Sequence, residues 1–488
     1  MSRASRAEDR EPDGKCKIPA PDTRPSSLDN IYALALGLFL GLAVWKFGNP
    51  VILDAKISPP SSASEFWSYA WPTHWANWFF LPLAITGAIL AVIKKARWPQ
   101  TKRLWLLPLL WLGWQLVSAS ETACPDLASA TLRQFFGCVA CYFLGAFLFG
   151  DGRARNFLLV GILAAFTFCL VRAVDQRLFE FPQSRQMLLE GERTGWTNVS
   201  PEMLLQMKRE NVVVHTNGLE MANPVILDKF RKGRVNGTLV YPNALAGVIL
   251  LLFPVSIALA FNSTKKLKPP IRFAAIALTL FLGGAGFFWT GSKLGWLIAI
   301  AIGGVYAFRL NWSTRLKFAA LGLIIFVGLG IFAVRFQNYF ASGATSVGAR
   351  FDYWRAAVQT AATNPLLGTG PGTFQRPYAQ IKSPKAEMAR LAHNDYLEQF
   401  SDSGIPGGIF YAAWIFLALA NVARRVWKSG NQITFAVFAG LLGWFAQGFG
   451  EFGLYVPALA WTAFTLLGCL LALPVKQPEG KLRHNLKA

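Results

Sequence analysis

Long apolar runs, separated by short basic turns and two extended polar segments, set the pattern of this chain. The runs fall at residues 31–47, 75–93, 104–118, 135–149, 157–171, 237–261, 273–290, 294–308, 318–334, 405–423, 433–448 and 457–473. Each approaches the roughly 20 apolar residues needed to cross a bilayer. The pattern predicts an all-α polytopic membrane protein of about 12 transmembrane helices. Its expected layout is a polar tail at 1–28, helices one to five within 29–171, and a first long loop at 172–236. Helices six to nine follow within 237–334, then a second long loop at 335–404, helices ten to twelve within 405–473, and a tail at 474–488.

Charge orients these runs. Arg3, Arg6, Arg10, Lys15, Lys17 and Arg24 precede the first, Lys94-Lys95-Ala96-Arg97 and Lys102-Arg103 follow the second, and Arg153 and Arg155 follow the fourth. Lys265-Lys266-Leu267-Lys268, then Arg309, Arg315 and Lys317, then Arg424, Arg425 and Lys428 mark further turns on the same side. Basic short loops stay in the cytoplasm, so an even number of spans leaves both termini cytoplasmic and both long loops outside. The N-terminal stretch carries no cleavable signal and has the polarity of a disordered tail.

The second long loop has internal structure in its pattern. Residues 346–362 read as an amphipathic helix, stopped by Asn364-Pro365 and by the glycine-rich turn Gly368-Thr369-Gly370-Pro371-Gly372. A second helix is expected over residues 384–400, with His393 in its middle. Helices this short need a platform, which predicts a lid lying against the mouth of the membrane bundle.

Composition agrees with the membrane reading. The 488 residues are 53% hydrophobic and only 15% charged, with a mean hydropathy of +0.35, which excludes a soluble globular surface. The net charge of +22 does not point to nucleic acid, because the cations sit in turns between apolar runs. Cys138-Val-Ala-Cys141 has redox spacing, but it lies within an apolar run without polar neighbours and reads as a pair of inert buried thiols. No zinc-ligand spacing occurs, and neither long loop carries an Asp-x-Asp pair for a divalent ion.

Candidate chemistry gathers at the outer edge. His393 begins His393-Asn394-Asp395-Tyr396-Leu397-Glu398, just before an apolar run; imidazole titrates near neutrality and suits a general base. Arg133, Arg234, Lys293 and Arg350 stand at or near outer ends of spans, where converging cations would suit a diphosphate. Each has a plainer role open to it. Arg133 and Lys293 would serve equally well snorkelling to lipid phosphates, Arg350 could pair with Asp352, and His393 could bond a loop carbonyl. Glu451, at the outer end of the eleventh run, is an acid costly to bury or else one that reaches water.

Together these segments resemble the O-antigen ligase and polymerase superfamily of bacterial envelope enzymes. The resemblance rests on His393, Asn394, Tyr396, Leu397, Asp402, Gly404 and Gly407, with Asp402 where Glu is commoner. It rests also on Arg350-x-x-x-Trp354 followed by Asn364-Pro365-Leu-Leu-Gly368-x-Gly370-x-Gly372, and on Gly237-Thr-Leu-Val-Tyr-Pro242-Asn243. Thr290-Gly-Ser292-Lys293-Leu-Gly295 is similar to a Ser-Arg-Gly turn with Lys in place of Arg, and Glu451 with Pro457-Ala458 is similar to a last block. The resemblance implies a metal-independent, inverting glycosyltransferase of the GT-C type in the inner membrane, without a cofactor. Its donor would be a glycan on undecaprenyl diphosphate, and its acceptor lipid A core, another lipid-linked repeat or a protein. His393 would be the catalytic residue and Arg234, Lys293 and Arg350 the diphosphate ligands, with Asn394, Tyr396, Asp402, Glu451, Trp354 and Arg133 in support. The competing reading is a transporter for a small anion such as bicarbonate, which would place polar or broken spans at the bilayer midplane.

Overall fold

The computed structural model describes residues 27–96, 103–216, 218–341, 345–384 and 386–473. Of the two expected tails, 1–28 and 474–488, only Ser27 and Leu28 are described, and they open the first helix; Arg97 and Lys102 also lie outside the described residues. The chain begins with α1 (Ser27–Lys46), α2 (Ala63–Ser68), α3 (Thr73–Ile93), α4 (Arg103–Ser120), α5 (Pro125–Leu148) and α6 (Gly152–Asp175). A π-helical turn, Gln176–Glu180, leads into α7 (Phe181–Arg193). Next come α8 (Pro201–Arg209), the strands β1 (Val213–Thr216) and β2 (Leu219–Ala222), and α9 (Pro224–Lys232). The remainder is α10 (Pro242–Ser263), α11 (Pro269–Thr290), α12 (Lys293–Arg309), α13 (Thr314–Ala341), α14 (Thr345–Thr363), α15 (Gln375–Ile381), α16 (Asp395–Lys428), α17 (Gln432–Gln447) and α18 (Pro457–Leu471).

Among the described residues, 8 helices are long and apolar enough to cross a membrane, and α4, α17 and α18 are shorter apolar helices. The chain is a polytopic membrane protein. Local chemistry sets where its helices begin and end. Proline occupies the first turn of α5, α10, α11 and α18, where the missing N–H costs nothing. The side chains of Asp151, Ser292 and Asn431 cap α6, α12 and α17 by accepting backbone N–H bonds. Gly291, at φ 59°, ends α11, and Ser292 at once starts α12. That pairing explains why two residues suffice for so tight a turn.

The centre of the bundle is α18, in which every residue is buried. It packs against α5, α1, α17, α16 and α10. Its two hydroxyls need no outside partner, since Thr462 and Thr465 donate to the carbonyls of Ala458 and Trp461 one turn back. Helix pairs cannot gain from a hydrophobic effect within lipid, so close backbone approach carries the packing. Gly145 of α5 and Gly468 of α18 provide it: a Cβ on either would overlap a carbonyl oxygen of the other helix. On the periphery α3, α11 and α13 turn large apolar side chains outward, among them Val92, Phe273 and Phe326, as a lipid-facing surface requires.

Two features differ from the sequence reading. The first long loop contains a β1–β2 hairpin, with Val213 opposite Ala222 and Thr216 opposite Leu219, so the described fold is not wholly α. Asn217-Gly218 lies between the strands, a turn pair that favours hairpins. This loop also has its own small core of Leu188, Trp196, Met207, Val213 and Ala222. Second, no helix runs from 384 to 400; α16 starts only at Asp395, because Asn394 is extended and its side chain caps the N–H groups of Tyr396 and Leu397. His393 therefore precedes a helix instead of lying within one. α16 is itself two helices that meet across a kink at Gly404, φ 69° and ψ −175°, and the tenth apolar run begins the second of them at Ile405.

That kink is clamped by the glycine-rich turn. Ile405 N–H donates to Pro365 O at 2.7 Å and Gly370 N–H to Asp402 O at 2.8 Å. A Cβ on Gly404 would overlap Leu366 O, so glycine is required there by both conformation and space.

Gly145→Leu should be strongly destabilising, costing about 1–3 kcal/mol or more through overpacking of the α5–α18 seam. Thermal unfolding in detergent checks this, with the lipid-facing Val92→Leu expected to leave the midpoint unchanged.

Candidate functional site

At one end of the bundle, the turn between α17 and α18 carries Glu451, a carboxylate that is 4% exposed. The start of α16 fixes this turn: Asp395 N–H donates to Gly448 O at 2.7 Å and to Glu451 O at 3.2 Å, and the Asp395 side chain accepts from Leu454 N–H. The Glu451 carboxylate collects donors from distant segments. Arg350 Nη2 of α14 lies 2.5 Å from Oε1, and Asn243 Nδ2 at the start of α10 donates to the same oxygen at 2.7 Å. Tyr241 OH donates to Oε2 at 3.1 Å. His393 Nδ1 faces Oε2 at 3.6 Å, beyond a hydrogen bond, and is buried without another partner.

The conformation of His393 is unusual for a residue with a side chain, φ 50°, and left-handed backbone is kept only where the surroundings enforce it. Here Asn394 caps α16 on one side, and Trp354 Nε1 donates to His393 O at 3.4 Å. The imidazole stacks on Tyr353 at 5.8 Å and meets the edge of Phe452 at 4.7 Å. Tyr353 is itself fixed by donating to Glu387 at 2.5 Å; burial, and then that bond, push its hydroxyl pKa upward. With Nδ1 turned inward and 29% of the side chain still accessible, the ring's outward edge is the part a substrate can reach.

Arg234 lies beside this cluster. Its Nε donates to Thr290 O at 2.7 Å, at the end of α11, and its Nη2 to Asn243 Oδ1 at 2.9 Å. Asn243 thus links Arg234 to Glu451 through a single amide. Burial lowers the Arg234 pKa from its ordinary value, Glu451 opposes that, and Arg350 and Arg335 lower it further. Lys293, in the adjoining turn, places its ammonium 3.7 Å over the ring of Tyr339 and faces the positive charges of Arg234, Arg350, Arg335 and Lys232. Arg335 lies against Phe288 and Phe336. Several cations therefore surround one acid, leaving a surplus of positive charge where an anion would be held.

Of the residues picked from sequence, Arg234, Lys293, Arg350, His393 and Glu451 come together here, with Trp354 and Asn394 supporting His393. Arg350 pairs with Glu451 and not with Asp352, whose nearest cation is Arg355. Tyr396 packs away from the cluster, donating to Phe445 O and stacking on Phe449. Asp402 serves the kink: its carboxylate accepts from Gly372 N–H at 2.7 Å and Tyr455 OH at 3.0 Å. Arg133 lies elsewhere, in a groove with Asp54 and His74, bonded to Ser129. Sequence reasoning passed over Asn243, Tyr241, Tyr353, Phe452 and Arg335 as functional groups. Asn243 and Tyr241 had a usable signal, since both stand in the block Gly237 to Asn243 and Asn243 is a polar amide at the start of an apolar run.

Residues 278–412 match the family model Wzy_C, O-antigen ligase. Over that stretch the chain is similar to the O-antigen ligase family. That family transfers glycans in the making of envelope polysaccharide. The matched stretch includes Lys293, Arg335, Arg350, Trp354 and His393, while Arg234, Asn243 and Glu451 lie outside it and join the matched residues only in space. No curated protein matches the chain.

Removing one side of the buried pair should expose its electrostatics. Glu451→Ala leaves Arg350 and Asn243 unsatisfied and should cost on the order of 3 kcal/mol, whereas Glu451→Gln should cost less. In a thermal-unfolding cycle, Arg350→Gln combined with Glu451→Gln should lose less than the sum of the single losses.

Proposed function

We propose that this cluster is a glycosyl-transfer site at the periplasmic face, moving a glycan from undecaprenyl diphosphate to an acceptor hydroxyl on lipid A core, a second lipid-linked repeat or a protein. The observation that carries it is the convergence of His393 with a group of cations about one buried carboxylate. The orientation is supported by charge: Arg309, Lys317, Arg424, Arg425 and Lys428 lie toward the helix ends remote from Glu451, as expected of a cytoplasmic side. With α12 counted beside the 8 long and three shorter apolar helices, the spans number twelve and both termini are cytoplasmic, in a GT-C-like arrangement within the inner membrane.

In this reading the acceptor hydroxyl approaches the open edge of the imidazole. Its proton passes to His393, its oxygen forms a bond to the anomeric carbon from the face opposite the leaving group, and the carbon–oxygen bond to diphosphate breaks. The electron pair leaves with the diphosphate, so the anomeric configuration inverts. Glu451 at 3.6 Å favours the imidazolium that forms. Arg234, Lys293 and Arg350 meet the charge gathering on the diphosphate, a stabilisation worth most where water is scarce. The leaving group is thus neutralised by side chains, and no step calls on a metal ion. Asn243 and Trp354 are positioning residues, acting through Arg234, Glu451 and the His393 carbonyl.

Transfer from a polyprenyl-diphosphate glycan, followed in proteoliposomes, tests this reading. His393→Ala should lower turnover by about 10²–10⁴-fold and Arg234→Ala by about 10²–10³-fold, at equal folded protein and with a chelator present. A normal rate in His393→Ala, or activity abolished by the chelator, would overturn the mechanism.

A further inference from the structure

A groove of about 880 Å³ opens at the other end of the bundle, between α10, α12, α13, α16 and α17. Helix α12 runs from Lys293 beside the site to Arg309 at the groove, and its 17 residues separate the two by about 25 Å at 1.5 Å per residue. The floor is apolar, formed by Phe253, Pro254, Ile257 and Ala258 of α10. The mouth is cationic: Arg309, Lys317 and Lys428 come from three different helices, and no Asp or Glu lines the groove. Among the described residues no carboxylate pairs with any of the three.

Their setting differs from that of cations reaching freely into bulk headgroups. The Arg309 guanidinium lies 3.9 Å over the ring of Phe435, which also takes the edge of Tyr306 at 4.9 Å. Stacking holds the guanidinium plane in place while leaving its donors unused. Phe261, Phe308 and Trp427 stand exposed along the rim, and aromatic rings of this kind settle at the level of lipid headgroups. An apolar trough open to the side, closed by three cations that pair with no described carboxylate, has the shape and charge of a lipid with an anionic head. Basic pockets between transmembrane helices on the cytoplasmic side select such heads.

We propose that this groove is a binding site for one anionic phospholipid, its phosphate held by Arg309, Lys317 and Lys428 and one acyl chain lying along α10. The site is independent of the glycan-transfer reading. It would brace the far ends of α16 and α17, the helices whose opposite ends carry Asp395 and lead into Glu451.

The test is native mass spectrometry of the full chain in detergent, offered phosphatidylglycerol or phosphatidylcholine with identical acyl chains. One phosphatidylglycerol should be retained per chain, with about tenfold or greater preference over phosphatidylcholine. Arg309→Gln with Lys317→Gln and Lys428→Gln should abolish the preference, while Lys265→Gln with Lys266→Gln, outside the groove, should preserve it. Circular dichroism of each variant in phosphatidylcholine micelles checks folding, and if the triple variant unfolds, Phe435→Ala with Lys428→Gln takes its place. Equal retention of both lipids by the wild type, or equal loss in both sets of variants, would overturn the proposal. Displacement of phosphatidylglycerol by equimolar polyprenyl diphosphate would also overturn it, assigning the groove to a lipid diphosphate.

Discussion

A carboxylate taken out of water costs several kcal/mol unless charge and hydrogen bonds replace its hydration. Glu451 is such a group, and its replacement shell is what draws this end of the protein together. Arg350 comes from the helix of the second long loop, Asn243 and Tyr241 from the start of α10, and the backbone of Asp395 from the start of α16. Each donor is held because the acid needs it, and the acid's turn is held because α16 and α18 flank it. The same economy that satisfies one buried charge therefore brings His393 to its edge and Arg234 within one amide of it.

A second constraint keeps that arrangement in place. The helix that begins after His393 must enter the membrane at a particular angle, and the kink at Gly404 sets it. The glycine-rich turn at 368–372 closes on this kink through backbone bonds and through the Asp402 carboxylate. Deeper down, Gln399 accepts from Trp111 Nε1 and Gln115 Nε2, and its own amide donates to Tyr455. Polar groups buried in an apolar bundle are costly unless paired, and paired they permit one register only. Asp402 thus shapes the site from a distance, which is why a motif position beside the histidine need not touch the chemistry.

Much of the fold was legible in the chain. Apolar runs of bilayer length became helices, and Gly291-Ser292 announced a turn that needs one left-handed residue and one cap. The helix at α14 was visible from its amphipathic pattern and its Asn364-Pro365 stop. Two local features were misread. Residues 384–394 have a composition that tolerates helix, but Asn394 gains more as a cap, and a cap ends any helix before it. The hairpin in the first loop was signalled by Asn217-Gly218, yet its short strands sit among stronger helical patterns.

The sequence by itself determined that this chain crosses a membrane repeatedly, which ends of its helices are basic, and where glycine must stand, because those follow from the free energy of moving each side chain or backbone unit between water and lipid. It also marked His393 as a candidate general base and Arg234, Lys293 and Arg350 as candidate ligands of a diphosphate. Only the tertiary structure decided that they share one centre. Glu451 lies 101 residues from Arg350 and 208 from Asn243, and no pattern along the chain encodes which cation a buried acid selects. That choice is made by helix packing, through glycine contacts and a clamped kink that leave the carboxylate one set of partners within reach.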